Sequence, residues 1–376
     1  MKVSIAIDSF KGCLTSSEAG LAASEAFADT DEVECFRISD GGEGFAESLA
    51  SSLGGHRILQ KVRGPLGEEI TASFVITDDG GTAIMETAEA SGLCLVKPEN
   101  RDIFHSSSGG TGELMAAAIS RNVRKIFLGL GGSATNDGGV GLLEALGYRF
   151  GKDGNNDVVS ICIPDLEMER KLKNVDFECF YDTSIPFFGP EGATYTYAVQ
   201  KGCPDSMLGK LDNWMEKICN AYSAYSGKDI LNAPGSGAAG GIGGAMYGIL
   251  GAKMRNGIES ILDIIGFADS LDGCGLVITG EGKADSQTLT GKAPKGVLDF
   301  VRKNRNGDKA KVLLIAGRVE DRADLLQAGF DDILQVTPPN MPYYEAMEKD
   351  IAKRNITETL KNYLKYGRTS SSRPRK

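Results

Sequence analysis

Histidine is almost missing from this chain: His56 and His105 are the only two in 376 residues. Imidazole chemistry therefore has little to work with, and general-base duty falls to a carboxylate. No GxSxG elbow is present, which argues against a serine hydrolase of the α/β type. The eight cysteines, at positions 13, 35, 94, 162, 179, 203, 219 and 274, never form a CxxC pair, so zinc-finger and thioredoxin readings fail. A long apolar run and a signal peptide are both lacking, and the expected address is the reduced cytoplasm, with no membrane partner. Positive charge is scarce too. The net charge is -10 and the only basic cluster is the short tail Arg368–Lys376, so no nucleic-acid partner is expected. A Walker A loop is also absent, since Lys292 is followed by Ala293 and no glycine stands five residues before Gly291.

What the chain has in excess is glycine, 49 residues clustered in loops without a period, which marks tight turns and close backbone approach to ligands. At 376 residues the chain exceeds the size of one core, so two domains are expected. Five short segments rich in Val, Ile and Leu read as buried parallel strands: Val3–Ile7, Glu34–Ile38, Gly275–Thr279, Lys311–Ala316 and Asp332–Val336. Helical patterns at Ser16–Phe27, Gly44–Leu53, Pro294–Arg305, Arg322–Ala328 and Tyr343–Tyr366 accompany them, and Thr15 to Glu18 offers N-cap chemistry for the first. The fold class is thus α/β, a flavodoxin-like parallel sheet domain made of residues 1-55 plus 268-376. Residues 56-267 form an inserted mixed α/β domain in this reading. It opens with antiparallel strands at Arg57–Val62, Ile70–Thr77 and Gly81–Thr87, and continues with strands at Lys125–Leu130 and Asp176–Tyr181 between helices.

Three of the strands run straight into loops of one composition, acid and glycine, usually with lysine. They are Val3–Gly12 (VSIAIDSFKG), Cys35–Gly44 (CFRISDGGEG) and Val277–Gly296 (VITGEGKADSQTLTGKAPKG). Strand ends in parallel sheets are where ligands bind. Carboxylates hold Mg²⁺, glycine bares backbone N–H groups for oxygens, and lysine offsets the remaining charge of a polyphosphate. The pattern points to a phosphoryl-transfer enzyme. Asp8 could alternatively cap the helix that follows it, and Arg318, at the fourth strand end, suits a substrate carboxylate or a surface ion pair. In the insert, Ser106–Gly112 (SSSGGTG) leads into a helix and offers either an anion site or simple N-capping. The loop at Gly129–Gly139 (GLGGSATNDGG) follows a strand and begins with a loose G-x-G-x-x-A pattern but lacks the later acid of a dinucleotide fingerprint, and the run Gly235–Gly240 (GSGAAG) follows no strand, so both suit close backbone contact instead.

At these residues the sequence resembles the glycerate kinase family of the type-1, glyoxylate-pathway kind. The similar motifs are IDSFKG, SDGGEG, METAEASGL (Met85–Leu93), SSSGGTGEL, LGLGGSATNDGGVG, FFGPEGA (Phe187–Ala193), PGSGAAGGIGG and VITGEGKADSQTLTGKAPKG, in the family's order across nearly all of residues 1–340. Ile7, Cys13 and Lys283-Ala284 depart from the family's usual residues, and no acid is lost from the three loops. The resemblance implies ATP- and Mg²⁺-dependent phosphorylation of D-glycerate, with a lean toward 2-phosphoglycerate; 3-phosphoglycerate, another small hydroxy acid, or a non-catalytic acid sensor are the alternatives, and a homo-oligomer is compatible with it.

The chemistry then assigns expected roles. Asp8, Glu281 or Asp285 ligates Mg²⁺, while Lys11 and Lys292 meet the phosphates. Asp40 or Glu43 accepts the proton of the glycerate hydroxyl. Ser9, Gly280 and Arg318 in the sheet domain, and Ser108, Thr111, Ser133, Asn136 and Asp137 in the insert, contact substrate or nucleotide.

Overall fold

The computed structural model describes residues 1–39, 41–42, 44–154, 158–163, 166–307 and 309–370. Along the chain its strands are β1 (Lys2–Ile7), β2 (Glu32–Arg37), β3 (His56–Arg63), β4 (Glu69–Ile76), β5 (Thr82–Glu86), β6 (Lys125–Gly129), β7 (Arg149–Lys152), β8 (Val158–Cys162), β9 (Asp176–Tyr181), β10 (Lys253–Asn256), β11 (Cys274–Ala284), β12 (Lys311–Val319) and β13 (Asp332–Gln335). The chain packs as two compact units. The first holds Met1–Asp40, Glu47–Ser52 and Ile258–Lys376; the second holds Gly41–Ala46 and Leu53–Gly257.

In the first unit a five-stranded sheet runs in the order β13-β12-β11-β1-β2. Every neighbouring pair in it is parallel. Its inner strands are buried along almost their whole apolar runs, as strands covered on both faces must be. The edge strand β2 instead has only exposed and half-buried residues and carries charge, which blunts a free edge. Helix Ser16–Ser24 starts at Thr15, whose side chain accepts the Glu18 N–H while Glu18 returns the bond, a reciprocal cap. Its alanines pack with Ile5, Ile7, Ile356 and Leu360, so one face of the sheet is closed by the first helix and the last. Phe267 stands edge-on to Phe36 with ring centroids 5.0 Å apart.

Two departures from expectation matter. β11 does not stop at Thr279 but continues to Ala284, and β12 continues to Val319, because the two remain paired beyond the end of β1 (Lys283 with Arg318, Ala284 with Val319). The acidic glycine run is therefore partly strand. The expected helix Tyr343–Tyr366 is divided into Tyr343–Ala346 and Lys349–Ser370, with Met347 between them turned against the apolar cluster under the sheet.

The second unit carries a six-stranded sheet in the order β10-β9-β6-β5-β4-β3. The β3–β4 and β4–β5 pairs are antiparallel, and the remaining pairs are parallel. A two-stranded ribbon, β7 with β8, and the helix Leu208–Ser226 complete it; the sequence pattern had singled out neither. Helix Gly109–Ile119 lies so close to helix Val140–Ala145 that a Cβ on Gly112 would run into the Leu142 carbonyl. No helix among the described residues is long and apolar enough to cross a membrane.

Candidate active site

Parallel strands send their carboxyl ends the same way, and the ends of β1, β11, β12 and β13 open onto one cavity of about 790 Å³. Asp8, Ser9, Lys11, Glu281, Lys292 and Arg318, all expected from the sequence, line it, and Lys283 joins them. Asp8 extends the β1 ladder by donating its backbone N–H to the Gly280 carbonyl at 2.9 Å. Its carboxylate accepts the Ser9 N–H at 2.7 Å, and the residue is buried at 8% exposure.

Glu281 sits deeper, 7% exposed. Burial pushes its carboxyl above the usual carboxylate range and the Asp285 charge adds to that, while the Thr288 hydroxyl and the Lys292 and Lys11 ammonium groups offset part of it. Thr288 donates to Glu281 Oε1 at 2.6 Å, which orients the carboxylate. Lys292 Nζ stands 4.0 Å from Glu281 Oε2, a loose pairing that leaves the ammonium in reach of an incoming oxygen.

Other expected residues are placed differently. Asp285 caps the turn Ser286–Thr290 by accepting the Gln287 N–H at 2.9 Å, and it pairs with Lys283 at 3.0 Å. Burial works against its charge, but those two partners outweigh burial and hold its carboxyl below the usual range. Lys283 also reaches Glu320 at 2.9 Å, and Arg318 Nε meets the same side chain at 3.1 Å, so both cations at this rim are already matched with acids. Gly280 lies inside β11, where a Cβ would run into the Ile315 carbonyl of β12; the close approach of two strands requires glycine there. Asp40 and Glu43 lie outside the described residues.

The residues expected from the insert gather around the loop after β6. Asp137 is the knot. Its Oδ2 accepts from the Ser108 N–H (2.8 Å), the Ser108 hydroxyl (2.8 Å) and the Gly141 N–H (3.2 Å), and its Oδ1 accepts from the Gly139 N–H at 3.1 Å. The Ser108 hydroxyl in turn accepts the Leu142 N–H at 2.9 Å, and Thr111 pairs with the Ser91 hydroxyl at 2.8 Å. These buried side chains hold two helix starts together. Removing the acceptor with Asp137→Ala should lower unfolding stability by about 2–4 kcal/mol, because several buried N–H groups lose their partner at once. A urea midpoint unchanged from wild type would contradict that role.

One residue escaped the sequence pattern. Lys201, 5% exposed, donates from Nζ to the Ser133 hydroxyl at 2.9 Å and to the Thr135 carbonyl at 2.8 Å. Burial pulls its ammonium down to about 7, with the Asp137 carboxylate opposing the shift. Its lone lysine in a short turn before Gly202 gives no hint of burial at the level of sequence. Nearby, Asn136 donates to Thr194 at 3.1 Å, while its Oδ1 and the Thr135 hydroxyl are buried without a partner among the described residues.

A Mg²⁺ that arrives with a nucleotide needs only one or two carboxylates, the remainder being phosphate and water oxygens. Asp8 and Glu281 supply two such acids in one cavity. Among the described residues no cluster of three or more His, Cys, Asp or Glu is placed to cage a metal by protein ligands alone. The donor set fits a nucleotide-borne ion.

The sequence profile described as the Glycerate kinase family matches residues 3–367. The chain is similar to the glycerate kinase of Bacillus subtilis (strain 168), 36% identical over 362 residues that span 93% of each protein. It is similar to the glycerate 2-kinase of Escherichia coli (strain K12), 36% identical over 380 residues, covering 96% of this chain and 98% of that protein. Among solved structures, one named for glycerate kinase 2 from Salmonella typhimurium LT2 superposes with a TM-score of 0.81 at 33% identity, over 98% of this chain and 99% of that one.

Proposed function

We infer the reaction from kinship and site together: the chain belongs to the glycerate kinase family. It is a phosphotransferase with an alcohol group as acceptor, and family membership implies ATP as the donor. We propose D-glycerate as the acceptor, Mg²⁺ as the metal and 2-phosphoglycerate as the product. The relative named glycerate 2-kinase supports that phosphate position over the 3-position. The observation that carries the reading is the convergence of Asp8, Lys11, Glu281 and Lys292 on one cavity at the strand ends.

Phosphoryl transfer asks the protein for alignment and for charge placed where oxygens develop it, with little covalent help. Bound Mg²⁺ would supply positive charge that offsets the charge of the phosphates. Asp8 and Glu281 would hold that ion, each oriented by a bond it already makes, to the Ser9 N–H and the Thr288 hydroxyl. Lys11 and Lys292 would meet phosphate oxygens, Ser9 would add a hydrogen bond, and Asp40 or Glu43 would accept the hydroxyl proton of glycerate. Arg318, matched with Glu320, would exchange partner for the substrate carboxylate, while Asp285 would tune the site through Lys283. Ser133 and Asn136 would serve through the loop that Asp137, Ser108 and Thr111 knit together.

The strand order, with both early strands on one side and the last three following outward, supports a flavodoxin-like sheet domain, and the discontinuous first unit supports an inserted second domain. The test is ADP release with Mg-ATP and a panel of D-glycerate, tartronate and threonate, repeated after chelation. D-glycerate should give the highest kcat/KM, and chelation should abolish turnover. A higher kcat/KM on another acid would replace the substrate, and turnover surviving chelation would remove Mg²⁺ from the account.

A further inference from the structure

The cavity in the first unit is lined by two chemically different sets of residues. One is charged and includes Asp8, Lys11, Glu281 and Lys292. The other is uncharged and mostly apolar, with Val336, Pro338, Pro339, Met341 and Met347 together with Asn355. A three-carbon acid does not need about 790 Å³, and its carboxylate would lose hydration against the apolar set without a counter-charge. A flat, uncharged heterocycle has no such cost there.

Asn355 gives the uncharged set its chemistry. It sits within the helix Lys349–Ser370, is 7% exposed, and lines the cavity. Its amide nitrogen donates to the Met341 thioether at 3.4 Å, a weak acceptor. A carboxamide held this deep normally has both ends matched. Its neighbour Gln335 is matched: it accepts the Val319 N–H at 3.1 Å and donates to the Thr337 carbonyl at 2.9 Å. Asn355 thus brings to the cavity wall a carboxamide whose donor is easily exchanged.

We propose that the apolar part of this lining seats the adenine ring of ATP, with Asn355 reading its edge. The carboxamide oxygen accepts from the exocyclic amine of adenine, and the carboxamide nitrogen donates to the adjacent ring nitrogen, the pairing by which asparagine reads adenine in the DNA major groove. Guanine presents acceptors at both positions and can take only one of the two bonds. Pro338, Pro339 and Met341 supply apolar contact for the ring faces, and Tyr343, 79% exposed at the rim, stands where a base can stack on it. The polyphosphate then runs toward Lys11 and Lys292. This assignment rests on the kinase reading for the identity of the nucleotide.

Equilibrium binding without glycerate tests it on the full chain, with ATP, GTP and tripolyphosphate as probes. Wild type should bind ATP about tenfold tighter than GTP. Asn355→Leu should weaken ATP about tenfold and leave tripolyphosphate unchanged. Because residue 355 is buried, Asn355→Asp serves as the same-shape variant, and Tyr343→Ala removes a side chain that no fold depends on; each should weaken ATP and not tripolyphosphate. ATP bound no better than tripolyphosphate, or an ATP to GTP ratio unmoved in every variant, would overturn the assignment. Wild-type turnover of D-glycerate alongside unmoved ATP affinities sinks this pocket and leaves the kinase standing. Asn355-dependent ATP binding without turnover of any acid sinks the acceptor and leaves the pocket standing.

Discussion

Glu281→Gln should abolish most turnover while leaving the protein as stable as wild type or more so. The neutral amide still accepts the Thr288 hydroxyl bond, so the geometry at 2.6 Å survives. What disappears is a carboxylate whose charge burial makes costly. The sign follows from the shift. A carboxyl raised in the folded state costs stability at neutral pH, and the cost vanishes once pH falls below its ordinary range, so the variant should gain stability at neutral pH and none in acid. Turnover should fall on the order of 10²–10³-fold, the loss typical of removing one charge-stabilising group from a polar site. Asp8→Asn should lose a comparable factor through the missing charge alone, since asparagine keeps an oxygen that accepts the Ser9 N–H. Near-normal kcat in both variants, with D-glycerate saturating, would place the chemistry elsewhere.

Replacing Lys201 by methionine should change how stability depends on pH. The folded chain releases the Lys201 proton near 7, whereas the unfolded chain keeps it to about 10.5. Between those values the unfolded state binds more protons, so stability rises with pH, and below 7 the full burial cost is present. One such group contributes a slope of up to about 1.4 kcal/mol per pH unit. Denaturant titrations between neutrality and about pH 8.5, below the range where unfolded thiols lose their protons, should show this slope in wild type and its loss in Lys201→Met. Parallel curves for the two proteins would mean that Lys201 keeps its proton at neutral pH, sharing it with Ser133 and the Thr135 carbonyl.

The centre of the first sheet was legible because its strands are short runs of buried Val, Ile and Leu, and each ends where polarity begins. Asp8, Glu281 and Lys292 could be paired in advance for the same reason: strand ends in a parallel sheet converge, so residues far apart in sequence share a cavity. The extension of β11 through Gly280–Ala284 was not legible. Glycine, glutamate and lysine are poor strand formers, and only the continued pairing with β12 makes a strand of them. Asp285 followed from that extension, since its carboxylate caps the turn after the strand instead of lining the cavity. Asn355 sits in a mostly polar helical pattern between Arg354 and Ile356, and the weakness of its bond to Met341 is a fact of packing. Lys201 likewise becomes informative only once its burial is known. Gly131 answers a packing need, since a Cβ there would run into the Gly42 Cα.

The most direct measurement is phosphorus NMR of the products formed from Mg-ATP and D-glycerate. The account predicts one new phosphomonoester signal that grows with ADP, requires D-glycerate, matches 2-phosphoglycerate and nearly vanishes with Glu281→Gln. ADP accumulating with inorganic phosphate alone, or a phosphomonoester formed equally well by Glu281→Gln, would contradict it.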